Sequence, residues 1–184
     1  MKKLVVILTI FLLASCVSAP WIKGGGSYRS DRLGYTAELP QGWMKFKADD
    51  YLLTTRDGVL LQMVYIQRFP VTVVPAYTKK RFRPHMSPGE ISEVIVDDLS
   101  LDPMHIDFRL EGNKPVMIDG LSGFRISCSF KSPLQRLTYG SAIYGFMTGK
   151  WIYVITYTAP KRHYFDRDLS TFESVVNSFR LSGR

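Results

Sequence analysis

At 184 residues, with 46% hydrophobic side chains and a formal net charge of +8, the chain has the size for one domain with a real core. Its only cysteines are Cys16 and Cys128, which excludes a disulfide framework. No apolar run reaches the roughly 20 residues that a membrane-spanning helix needs.

The first fifteen residues read as an export signal. Lys2 and Lys3 precede the apolar run Leu4 to Leu13, broken only by Thr9, and the small pair Ala14-Ser15 precedes Cys16. Leu13-Ala14-Ser15-Cys16 resembles the lipobox of bacterial lipoproteins, which implies that the Cys16 thiol takes a diacylglycerol and becomes the new N-terminus. More than one acyl chain gives stable anchoring. Enterobacterial lipoproteins held at the inner membrane carry aspartate after that cysteine, and Val17 stands there here. The resemblance therefore implies the outer membrane, facing the periplasm. Removing residues 1–15 leaves 169 residues and a net charge of +6, and Cys128 becomes the only free thiol. A basic surface in that compartment meets anionic lipid, polysaccharide or acidic proteins, and export argues against nucleic acid.

Residues 16–33 contain Gly24-Gly25-Gly26-Ser27 and few hydrophobic residues, and read as a lipidated N-terminus with a flexible tether. Residues 34–184 form the single domain. Tyr35 to Leu39 reads as a strand leading into the turn Pro40-Gln41-Gly42-Trp43, and Asp57-Gly58 separates the strands Tyr51 to Arg56 and Val59 to Gln67 as a hairpin signal. In Ser87-Pro88-Gly89-Glu90 a capping serine, a proline at the first helical position and a glutamate three residues after the cap predict a helix. It buries Ile91, Val94, Ile95 and Leu99 and ends near Leu101, before Pro103.

Alternation then returns. Ile106, Phe108 and Leu110 form a dry face opposite His105, Asp107 and Arg109. Phe124, Ile126, Cys128 and Phe130 do the same opposite Arg125, Ser127, Ser129 and Lys131, after the turn Asp119-Gly120. Leu134 to Phe146 and Lys150 to Thr158 make a further hairpin around Thr148-Gly149. A last helix begins around Asp166 to Ser170, with Ser170 and Glu173 at capping-box spacing, and buries Phe172, Val175, Val176 and Phe179.

Trp151-Ile152-Tyr153-Val154, Tyr157 and Ala159, then Phe165, then Phe172, Val175, Val176, Ser178 and Phe179 resemble the closing strand and helix of the PsbP-like superfamily, which includes DcrB-like envelope lipoproteins. Tyr35, Leu39-Pro40 and Gly42-Trp43 are similar to its first strand and turn, and Gly120, Gly123-Phe124-Arg125 to its middle hairpin. The resemblance covers about residues 34 to 181. It implies an α+β fold, an antiparallel sheet sandwiched by helices, and a noncatalytic accessory or scaffolding role without a cofactor. The long segment Pro70 to Met86 departs from the family pattern.

Catalytic candidates are few. Nucleophilic chemistry needs a base beside Ser, Cys or Thr, and the only histidines are His85, His105 and His163. Cys128 falls on a dry strand face and His105 on a wet one. Asp97, Asp98, Asp102 and His105, or His163, Asp166 and Asp168, offer metal-ligand chemistry without the spacing of a metal loop, and no metal is expected. Gly24 to Gly26 lacks the lysine and hydroxyl of a phosphate loop. The basic run Lys79, Lys80, Arg81, Arg83 and His85, with Lys161 and Arg162, offers a patch for an anionic partner, against the plain alternative of a solvated loop. Trp151, Tyr153 and Tyr157 offer an aromatic interaction face. The expected function is a noncatalytic envelope lipoprotein that binds a protein partner or an anionic envelope component. The alternatives are a small-ligand module with an apolar cavity between sheet and helix and, last, a hydrolase or metal enzyme.

Overall fold

The computed structural model describes residues 20–183. The signal segment and Cys16 lie outside these residues. Eleven strands are present among them: β1 (Trp21–Lys23), β2 (Gly26–Ser30), β3 (Tyr35–Leu39), β4 (Met44–Phe46), β5 (Tyr51–Thr55), β6 (Met63–Pro70), β7 (Ile106–Ile118), β8 (Leu121–Lys131), β9 (Thr138–Thr148), β10 (Trp151–Pro160) and β11 (Arg180–Leu181). Helix α1 spans Pro88–Leu101 and α2 spans Asp166–Ser178. Eight strands form one antiparallel sheet in the order β1-β4-β5-β6-β10-β9-β8-β7, and β11-β3-β2 form a small second sheet.

Each face of the large sheet has its own core, because successive side chains on a strand point to opposite sides. Tyr153, Ile155 and Tyr157 on β10 pack with Val64 and Ile66 of β6, with Phe172, Val175 and Phe179, and with Tyr35 and Leu39 of the small sheet. Ile152 and Val154 pack on the other side with Phe124, Ile126, Cys128, Val71 and Ile91 of α1. The fold is thus α+β, an antiparallel sheet held between helical layers. Gly145 permits close packing at the α1-side core: a Cβ there would stand 2.3 Å from the buried Phe124 ring.

Local chemistry explains most element boundaries. Ser87 accepts from the Glu90 N–H at 3.2 Å and Glu90 accepts from the Ser87 N–H at 2.7 Å, the reciprocal cap predicted for α1. The β7–β8 hairpin turns on Asp119-Gly120, both at positive φ. Four expectations change.

The glycine run is part of the fold: Gly24 donates to the Trp43 carbonyl at 2.7 Å, Gly25 and Gly26 take φ of 124° and 75°, and the chain passes there from the large sheet to the small one. Only glycine enters such φ values freely. Trp21–Lys23 and Gly26–Ser30 are paired strands where a tether was expected, so the fold begins before Gly34. Val59 to Gln62 belongs to the β5–β6 connection, where Gln62 Oε1 accepts from the N–H groups of Arg56 and Asp57. The last helix starts at Asp166 without a side-chain cap, and Ser170 lies inside it. Ile106 and Leu110 are exposed, because register shifts near both residues distort β7 at the sheet edge.

Asp168, in the first turn of α2, is buried and ties the helix to that same β5–β6 connection. Its carboxylate meets Arg56 at 3.2 Å, Gln62 at 3.1 Å and Arg167 at 3.0 Å. Burial pushes its pKa up, but hydrogen bonds from Arg167 and Gln62 and the charges of Arg167 and Arg56 hold it below the ordinary value. A depressed folded-state pKa gives stability that is complete above the unfolded value of about 3.9 and is lost as pH falls through the folded one. We expect Asp168→Asn to cost about 1–3 kcal/mol at neutral pH, and the deficit to shrink below pH ~4. Denaturant melts at pH 7 and pH 3 check this; an equal deficit at both would refute the ionic contribution.

Candidate functional site

The principal cavity lies on the α1 side of the sheet, a half-open groove of about 490 Å³. Its floor is the alternate residues of β6, β10, β9 and β8, including Met63, Thr156, Ile143 and Cys128. One wall is α1, through Ile95 and Leu99. The other is the segment after β6, through Val73, Val74, Pro75, Ala76 and Phe82. Phe108, Phe130 and His105 close the β7 end. The lining is predominantly apolar and the volume is that of a small-molecule site.

The basic loop is a structural partner of this groove. Thr78 is buried and bonds to Asp97 through its hydroxyl, and the N–H groups of Tyr77 and Thr78 donate to Asp98 at 2.7 and 2.9 Å. Lys80 approaches Asp97 at 3.4 Å, and Phe82 packs on Phe69 at 5.7 Å between centroids. Lys79, Lys80, Arg81, Arg83 and His85 are exposed around this framework. Lys161 is engaged elsewhere, with Glu111 at 2.5 Å, and exposed Arg162 follows it beyond the end of β10. The sequence signal for the apolar side of the loop is Val73-Val74-Pro75, which precedes the charged run.

The expected aromatic face is not a surface. Tyr153 and Tyr157 are buried under α2, their hydroxyls donating to Leu33 and to Tyr164 and Phe165 carbonyls. The guanidinium of Arg68 lies 4.2 Å from the Trp151 ring centroid. Odd-numbered positions of β10 point to the face that α2 and the small sheet cover.

The titratable candidates are committed to structure. His105 is half-buried, contrary to a solvated strand residue: it precedes β7, packs 4.0 Å from Phe130 between ring centroids, and its Nδ1 donates to the Leu99 carbonyl at 3.0 Å. Asp102 lies 3.7 Å from the same nitrogen. Asp97 and Asp98 hold the basic loop, and Asp168 holds Arg56 and Arg167. Among the described residues no three His, Cys, Asp or Glu side chains gather as a metal site. Burial, with a smaller effect of the Glu111 charge, pushes the Cys128 thiol up to about 12.

No family model matches the sequence, and no curated protein matches it. Solved structures match in fold. Cyanobacterial PsbP from Synechocystis superposes with a TM-score of 0.58 at 14% identity, covering 92% of this chain and 99% of that one. The Ran-binding protein Mog1p of Saccharomyces cerevisiae gives 0.57 at 10% identity, covering 87% and 96%. A Bacteroides thetaiotaomicron protein gives 0.54 at 16% identity over 87% of this chain, which spans about half (49%) of that protein's length. The chain has the PsbP/Mog1-like fold.

A thiol pushed up to about 12 carries roughly three thousandfold less thiolate at neutral pH than a free cysteine near 8.5. Cys128 should resist a disulfide reagent in the native protein and react fully after unfolding in denaturant. Prompt reaction of the native protein at pH 7 would contradict this placement.

Proposed function

We propose that this protein is a noncatalytic, lipid-anchored component of the bacterial envelope, and that it binds the apolar chain of an anionic amphiphile in the groove between the sheet and α1. The observation that carries the reading is the groove itself. Its lining is mostly apolar, and one wall belongs to the same segment that presents Lys79, Arg81 and Arg83 to solvent. An apolar trough beside cationic side chains matches a molecule with a hydrocarbon tail and a negative head.

The noncatalytic part is supported by how the polar groups of the groove are occupied. The carboxylate of Asp98 accepts two backbone N–H groups, His105 is bonded to a carbonyl, and Ser141 bonds to Tyr157 and Thr158. A nucleophile needs a free base within hydrogen-bond reach. The lipobox-like segment ending at Cys16 supports the anchor, and Val17 supports the outer membrane and a periplasm-facing domain. The groove moves the reading away from a flat protein-docking patch, because a concave apolar site suits a chain-like ligand.

A fluorescent long-chain fatty acid titrated onto the protein should bind saturably. Thr156→Phe, which places a ring on the groove floor, should weaken it about tenfold or more, equivalent to about 1.4 kcal/mol, with melting unchanged. Neutralising Lys79 and Arg81 together should weaken binding at low salt and much less at high salt. Absence of saturable binding at every salt concentration overturns the groove reading. Separately, labelled fatty acid should be incorporated into the native protein in cells and not into Cys16→Ser; incorporation in both would refute the anchor.

A further inference from the structure

The groove side of the sheet extends beyond the groove. The helices lie elsewhere, α1 on β7, β8 and β9, and α2 on β3 and β10. Past the groove the same face runs on over β6, β5, β4 and β1. Register sets Tyr51 opposite Gln67, Leu53 opposite Tyr65, and Trp21 opposite Phe46. Directly opposed side chains share a face, and Gln67 lines the groove, so Tyr51 stands on the groove side. Ring contacts carry this face to the edge: Tyr65 to Tyr51 at 5.2 Å, Tyr51 to Phe46 at 6.4 Å and Phe46 to Trp21 at 5.2 Å between centroids. All four rings are half-buried, and Met44 and Leu53 share their partial exposure.

We propose that this aromatic row lies in the interfacial layer of the membrane that holds Cys16. The proposal rests on the lipid anchor proposed above. Five residue steps separate Cys16 from Trp21, a reach of about 17 Å at full extension, so an acylated Cys16 keeps the β1 edge close to the headgroups. Tryptophan and tyrosine, with an apolar body and a polar tip, are the side chains that favour this layer. Charge agrees. Lys23 beside Trp21 is exposed, and Lys79 and Arg81, on the loop that walls the groove, are exposed and make no ion pair among the described residues. These cations suit an anionic lipid surface. With the row against the bilayer, the groove opens next to a supply of acyl chains.

The test uses acylated protein purified from membranes and reconstituted into phosphatidylethanolamine–phosphatidylglycerol vesicles, with and without lipid brominated near the headgroup end of its acyl chains. Intact mass reports the anchor, and tryptophan emission reports docking. The expected result is an acylated mass together with quenching that disappears in Trp21→Phe, since Trp43 is buried and Trp151 lies under Arg68 on the opposite face. Tyr51→Ser with Tyr65→Ser, which keeps Trp21, should reduce the quenching. An acylated protein whose emission ignores the brominated lipid overturns docking and leaves the anchor standing. A protein without acyl mass overturns the anchor, and the docking proposal falls with it.

Discussion

An eight-stranded sheet is too wide for one helix to cover. Strands lie about 4.8 Å apart, so seven gaps span roughly 34 Å, whereas a helix with its side chains is about 10–12 Å across. On one face α2 shares the work with the small sheet, and between them they bury Tyr153, Tyr157 and Ile66 completely or nearly so. On the other face α1 works alone over β7, β8 and β9. Two features follow from that shortfall: the groove, where α1 ends and the segment Val73 to Phe82 stands in for a second helix, and the aromatic row, which no helix among the described residues covers.

The sheet tolerates this because its exposed half is built from side chains that shield one another. Trp21, Phe46, Tyr51 and Tyr65 form a continuous chain of edge, stacked and tilted contacts, so each ring loses part of its water contact to its neighbours without a covering layer. The edges are managed differently. β1 has three residues, and β7 is distorted by register shifts and carries Pro115 and several charges, which discourages pairing with another sheet.

Much of the fold was legible because local signals and tertiary demands agree. The Ser87 cap, the Asp119-Gly120 turn, the alternation Phe124-Ile126-Cys128 and the heavy apolar content of β10 each had one reading, and the structure contains all of them. The failures share a cause: faces and sheets cannot be assigned from one strand. Tyr153 and Tyr157 read as a usable aromatic face because period-two patterning does not say which side is covered. Gly24 to Gly26 read as a tether because a composition typical of linkers is also what a sharp crossing between two sheets requires, and the strands that reveal the crossing, β3 and β4, come later in the chain. An apolar cavity between sheet and helix was among the sequence's alternatives, but its residues could not be named for a similar reason. Its walls come from residues 73–82, 95–108 and 128–158, and no window of sequence contains them together.

The position of the chain's entry into the fold joins these features. β1 is the outermost strand of the large sheet, and its Trp21 ends the aromatic row. On a freely diffusing protein a contiguous, partly exposed apolar face is an association hazard. The proposed acylation of Cys16 would hold this face within about 17 Å of the lipid-bearing residue, with an apolar layer in reach. An anchor at the covered face or at the β7 edge would leave the row pointing into solvent. On this proposal the edge placement of β1 is what would let an incompletely covered sheet act as a binding surface, with the groove as its deepest part.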